Sequence, residues 1–296
     1  VFDAITTSFS TAGTGGFGIK NDSLTSYSVS VQWIVTVFMI LFGINFNAYY
    51  LIFFGNIKKV LELEEVRYYL GIILFSIVVI SCNIYSMCQG LFDTITKSSF
   101  QVASIITTAG FTTTDFALWP KTSQIILVML MFVGACAGST GGGIKVSRFV
   151  ILFKTIFKEF NSYIHPHSVK KIKMDGKSIE HDVIRSVNVH MITFIALFAI
   201  SVFIISFENL DLTTTFTAVA TTINNVGPGL GLVGPTHNFA DFSVLSKYVF
   251  IFDMIVIQAS PLCAFPITQL SRSPIYTPEI SLPESLTVTG VKPSDL

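Results

Sequence analysis

Five apolar runs govern what this chain can fold into. Residues 29–57, 68–87, 123–157, 187–207 and 244–270 are each long enough, at about 1.5 Å rise per helical residue, to cross a hydrocarbon core of about 30 Å. Five crossings are therefore expected. Three further stretches, 2–10, 91–107 and 210–222, are apolar and threonine-rich but too short to cross, and each runs into a polar strip containing glycine. Such segments suit re-entrant half-helices. With 51% hydrophobic and only 12% charged residues, an ordinary soluble domain is excluded. Eighteen Lys+Arg balance eighteen Asp+Glu, so no net basic field points to nucleic acid.

The charges carry information by position. Lys58, Lys59 and Arg67 fall in one link between crossings, and Lys154, Lys158, Lys170, Lys171, Lys173, Lys177 and Arg185 cluster in another. The positive-inside rule puts both links in the cytoplasm, so the half-helices enter from the outer face, with Lys20, Lys97 and Lys121. Residues 161–182, with His165, Pro166 and His167, form the one sizeable polar loop, read either as a solvated connector or as a docking point for a cytosolic partner. Cys82, Cys88, Cys136 and Cys263 lie within apolar runs and in no metal-ligand spacing, so neither a metal site nor a disulfide framework is expected. The chain opens on Val1 without a signal-peptide pattern and reads as a fragment.

The short segments repeat. Ser10-Thr11-Ala12-Gly13 aligns with Thr107-Thr108-Ala109-Gly110, and Asn224-Asn225-Val226-Gly227 falls in the same register as a weaker third copy. About thirty residues after the glycine, two of the following crossings are interrupted by polar and glycine-rich stretches, one at Gly43-Ile44-Asn45-Phe46-Asn47 and one at Gly138-Ser139-Thr140-Gly141-Gly142-Gly143. The third reaches only Ile257-Gln258. The fold class expected is an all-α polytopic membrane protein of repeated helix, pore helix, strip and helix units around one pore. Residues 1–60 form a partial unit, 61–160 a complete one, 161–182 the cytoplasmic loop, 183–270 the last unit and 271–296 a disordered tail rich in proline.

A half-helix ending in mid-membrane aims its carbonyls and negative dipole end at the pore centre, where a cation is stabilised. The strip beyond it can turn backbone carbonyls inward to replace an ion's water shell, and glycine tolerates the angles this needs. Thr11, Thr108 and Asn225 stand where they would brace the strips, and no Lys or Arg occurs in strips 10–17 or 107–114. A ligand built this way prefers a monovalent cation. Two rival motifs are weaker. The stretch from Gly138 to Lys145 resembles a phosphate-binding loop, but Ile144 stands where the motif needs lysine. Among the acids, Asp93, Glu208 and Asp211 fall at helix ends, which leaves Asp253 as a pore-lining candidate for a proton-coupled carrier. No catalytic constellation for an enzyme is seen.

These residues resemble the Trk/Ktr/HKT potassium transporter superfamily. The likeness is carried by 10–13, by Ile106-Thr107-Thr108-Ala109-Gly110-Phe111-Thr112-Thr113, by Gly138-Ser139-Thr140-Gly141-Gly142-Gly143-Ile144-Lys145-Val146 and by Asn225-Val226-Gly227-Pro228-Gly229-Leu230-Gly231. The resemblance implies four units around a single filter, with the first repeat absent here and Gly13, Gly110 and Gly227 as the remaining filter positions. It implies that Gly138, Ser139, Thr140, Gly141, Gly142 and Gly143, with Lys145 and Gln258, form an intramembrane gate beneath the filter. It further implies potassium as substrate, no cofactor in this chain, a homodimer, a cytosolic nucleotide-binding regulatory partner, and residence in the bacterial cytoplasmic membrane. The family carries an arginine shortly after Phe252-Asp253-Met254, where this chain has Gln258, and the likeness ends there. A sodium- or proton-coupled solute carrier is the alternative.

Overall fold

Glycine and asparagine, more than apolar length, decide which of the long runs stay straight. The computed structural model describes residues 1–20, 22–55, 60, 62–165 and 171–259, the last three without side chains. The elements that position the site are α1 Phe2–Ala12, α2 Val29–Phe42, α3 Phe46–Phe53, α4 Glu64–Ile84, α5 Leu91–Ile106, α6 Lys121–Val133 and α7 Val146–Ile164. A two-stranded hairpin, β1 Lys173–Met174 and β2 Lys177–Ser178, leads to α8 His181–Ile205, α9 Leu212–Ile223 and α10 Val244–Ala259.

Of the five apolar runs expected to cross, two are unbroken helices and two are interrupted where the sequence places polar and glycine-rich stretches. Among the described residues two unbroken helical stretches are long and apolar enough to cross a membrane, Glu64–Met87 and His181–Glu208, each α-helix continuing into a short 3-10 turn. The run 29–57 bends by 92° between α2 and α3. Gly43 closes α2, and the Asn45 side chain caps α3 by accepting from Asn47 N at 2.9 Å. The run 123–157 parts at residues 134–145 into α6 and α7, with Gly134 at φ +69° ending α6. The run 244–270 is helical as far as Ala259; residues 260–270, Cys263 and the expected tail at 271–296 lie outside the described residues.

The three short segments are helical as α1, α5 and α9, and α5 and α9 are largely buried. Helix α5 packs on α2, α4 and α6. Phe100, Val102, Ile105 and Ile106 join Ser98, Gln101 and Ser104 in full burial, so the helix is enclosed on its polar side as well. Its hydroxyls are accommodated by bonding back one turn: Thr94 donates to Gly90 O at 2.8 Å and Ser99 to Ile95 O at 2.6 Å. α9 is held in the same way between α8, α10 and α6. Outward-facing Leu74, Phe75, Ile192 and Phe203 leave the long helices an apolar face for lipid. Between helices in a bilayer, close packing rather than water exclusion supplies the attraction.

The polar loop expected at 161–182 is in part regular: α7 runs to Ile164, and the Asp175-Gly176 turn, with φ +51° and +79°, closes the hairpin; His167 and Lys170 are outside the described residues. Asp175 Oδ1 accepts the Glu64 N–H at 2.7 Å, docking the hairpin on the start of α4, where Lys154 also pairs with Glu64. Burial holds the Asp175 carboxyl above the ordinary carboxylate range, so the docked hairpin binds its proton more tightly than a free one. Docking is therefore strongest at acid pH and weakens as pH rises through that raised value. Hydrogen exchange at the Glu64 amide, corrected for its intrinsic rate, is expected to slow on acidification, and Asp175→Asn should remove the dependence. An unchanged pH profile in the variant would count against it.

Candidate functional site

The three half-helices end in one and the same backbone hook. Gly13, Thr107 and Asn224 are the closing residues, with φ/ψ of −84°/1°, −84°/−4° and −95°/−2°. The next residue of each is left-handed: Thr14 at φ +47°, Thr108 at +58° and Asn225 at +55°. Two residues later comes a glycine at positive φ, Gly16 at +68°, Gly110 at +78° and Gly227 at +104°. Between them the amides of Gly15, Ala109 and Val226 donate to Ser10 O, Ser104 O and Thr221 O at 2.8, 2.9 and 2.9 Å.

This geometry corrects the first copy of the repeat. Gly16, three residues beyond Gly13, is the backbone counterpart of Gly110 and Gly227, while Ser10, Thr11 and Ala12 form the last turn of α1. Thr11 does not brace a strip, because its hydroxyl donates within its own helix to Thr7 O at 2.7 Å. Thr14 takes that place. The register of the second and third copies agrees with the sequence alignment.

The hooks lie against one another in sequence order. A Cβ built on Gly16 would fall 1.9 Å from Ala109 O, and one on Gly110 would fall 2.1 Å from Val226 O. Only a residue without a side chain permits such an approach. A Cβ on Gly227 meets nothing within 4 Å. Three helix C-termini, three short strips and their carbonyls thus converge on one region with no cationic side chain in the strips, an arrangement that favours a cation.

Residues 134–145 reach all three hooks. The Thr14 hydroxyl donates to Thr140 O at 3.0 Å, and Gly142 N–H donates to Thr108 Oγ1 at 2.6 Å. Cβ atoms on Gly141 and Gly142 would fall 2.9 Å from Thr107 O and 2.7 Å from Asn224 O. Ser139 Oγ donates to Cys136 O at 2.6 Å, and Lys145 Nζ reaches back to Gly141 O. The segment also docks on the α2–α3 bend: Cys136 N donates to Gly43 O and Phe46 N to Gly138 O, both at 3.0 Å. The helix α6, not a strand, leads into the segment, which rules against the phosphate-loop likeness. Asn225 Nδ2 donates to Met254 O at 3.3 Å, tying the third hook to α10, and the side chain of Gln258 lies outside the described residues.

The acids do not assemble into a relay. Asp253, the expected pore-lining group, is 2% exposed and accepts from Ser201 Oγ at 2.8 Å, so it faces α8 rather than an open passage. Asp93 sits in the first turn of α5 and pairs with Lys97 at 2.7 Å. Asp211 caps α9 by accepting from Thr214 N at 3.0 Å, and Glu208 accepts from Ser243 N at 3.0 Å. Among the described residues no cluster of three His, Cys, Asp or Glu could hold a metal ion. The carboxylate that does touch the site region, Glu65, was missed in the sequence because its partners are remote along the chain.

Comparison with known proteins agrees with the helical pattern. The TrkH family model, described as a cation transport protein, matches residues 1–260. The Trk system potassium uptake protein TrkH of Salmonella typhimurium is 34% identical over 260 residues, covering 86% of this chain and 53% of that protein. The Trk system potassium uptake protein TrkI of Halomonas elongata is 29% identical over 259 residues, covering 86% and 52%. The crystal structure of the potassium transporter TrkH from Vibrio parahaemolyticus matches with a TM-score of 0.81 and 32% identity, over 93% of this chain and 59% of that one. The chain thus spans about half the length of these relatives. From its hooks to its broken helices, the chain belongs to the TrkH family of cation transport proteins, a family of membrane transporters and not of enzymes.

Proposed function

We propose that this chain takes part in potassium uptake across the bacterial cytoplasmic membrane. The filter consists of the backbone carbonyls of Thr14-Gly15-Gly16, Thr108-Ala109-Gly110 and Asn225-Val226-Gly227. The observation that carries this reading is the threefold hook, each copy placed behind a short helix and two of its glycines pressed on a neighbour's carbonyl. Each hook belongs to one unit, at 1–60, 61–160 and 183–270. Gly138, Ser139, Thr140, Gly141, Gly142, Gly143 and Lys145 form a gate beneath the filter, supported by their bonds to Thr14 and Thr108. An unwound strip within a membrane is tolerated only where it is buried in protein or lines a cavity. The polar loop at 161–182 is the docking point for a cytosolic nucleotide-binding subunit, and the whole protein pairs as a homodimer.

A sodium- or proton-coupled carrier is the second reading, favoured by one observation: two broken helices lie side by side at Gly43 and residues 134–145. Rubidium uptake by the full-length protein, in cells lacking other potassium systems, separates the two. Saturable rubidium entry that potassium competes for, and that persists without a sodium or proton gradient, is the expected result. Entry that collapses with either gradient would favour the carrier.

A further inference from the structure

A carboxylate buried in a membrane protein needs donors for its charge, and Glu65 finds them on both sides of the glycine-rich segment. It sits in the first turn of α4 and is 6% exposed. Its Oε1 accepts Ala137 N–H at 2.6 Å and Ser147 N–H at 3.2 Å. Ala137 and Ser147 flank that segment on either side. Ser147 lies in the first turn of α7, whose N-cap residue, Lys145, makes no side-chain capping bond. Glu65 therefore caps α7 from another helix, with the sign of charge that a helix N-terminus favours.

We propose that Glu65 is the positioning residue that clamps both ends of the glycine-rich segment and so holds it under the filter, a proposal that rests on the gate reading. With Ala137 and Ser147 pinned to one carboxylate, the part free to move is 138–145. Weakening the clamp lets that part leave the hooks while the strips above keep their own bonds. A carboxylate accepts from these two amides more strongly than a neutral amide of the same shape can.

The test uses the full-length protein and four changes to it. Glu65→Gln is expected to raise rubidium flux about tenfold, the scale of population shift that follows from weakening a charge-assisted hydrogen bond, with the preference over sodium unchanged. In inside-out vesicles a charged thiol reagent should label Ser139→Cys faster when Glu65→Gln is present, a readout that a purely structural cap would leave unmoved. Glu65→Asp keeps the charge but draws the carboxylate back from both amides, and a rise of about threefold is expected from it; this variant decides the matter if Glu65→Gln fails to reach the membrane. Unchanged flux and labelling, in a protein whose flux does rise on deletion of residues 141–143, would overturn the clamp and spare the gate. If the deletion itself leaves flux unchanged, the gate reading fails and the clamp fails with it.

Discussion

Gly110→Ala in the full-length protein is expected to lose potassium-selective uptake by at least about fivefold, counting only the strain of about 1–3 kcal/mol for a left-handed non-glycine residue. Steric overlap adds to this, because the new Cβ would fall 2.1 Å from Val226 O, inside any permitted contact. Gly16→Ala should be as damaging, with its Cβ 1.9 Å from Ala109 O. Gly227→Ala carries the φ strain at +104° without the clash, so its loss should be smaller. Gly13→Ala should be nearly silent: its φ is −84° and its nearest neighbour is Phe9 O of its own helix at 3.4 Å. Rubidium uptake and the sodium-to-potassium ratio across the four variants test filter and register together. Damage at Gly13 with silence at Gly16 would restore the alignment read from sequence and refute the hooks as counterparts.

Deleting residues 141–143 is expected to raise potassium flux by on the order of tenfold while keeping the preference over sodium, if the proposed filter strips hold their shape without the segment. The deletion removes the Gly142 N–H bond to Thr108 and the close approach of Gly141 and Gly142 to Thr107 O and Asn224 O. The strips keep the internal amide bonds that shape them, at 2.8–2.9 Å. If residues 134–145 are instead a kink needed for packing, membrane expression and flux should fall together.

Much of the arrangement was legible in the residues. Short threonine-rich segments followed by glycine marked the half-helices, and glycine clusters marked the helix breaks. The error in the first copy has a local cause: Thr11-Ala12-Gly13 repeats Thr108-Ala109-Gly110 letter for letter, so identity outweighed conformation. Helix α1 simply absorbs that triplet in its last turn and cap. Thr14-Gly15-Gly16-Phe17 against Thr108-Ala109-Gly110-Phe111 was the available signal, since it preserves the phenylalanine after the strip. Apolar length could not reveal the 92° bend, because Gly43 and Asn45 barely lower the mean of a long run. Asp175-Gly176 was a readable turn within a loop treated only as polar. Asp253 went the other way: an acid in an apolar run reads as pore-lining, yet Ser201 on α8 supplies its partner. Glu65 was invisible, since its donors lie 72 and 82 positions away and only the folded chain brings them together.

The bend after α2 also ties an exposed element to the site. A turn of 92° swings α3 away from the direction of α2 and leaves Phe46, Tyr50 and Phe53 outward-facing. Because Gly43 and Phe46 are bonded to Cys136 and Gly138, the bend and the glycine-rich segment form one hydrogen-bonded unit, and neither can be displaced without the other unless those bonds break.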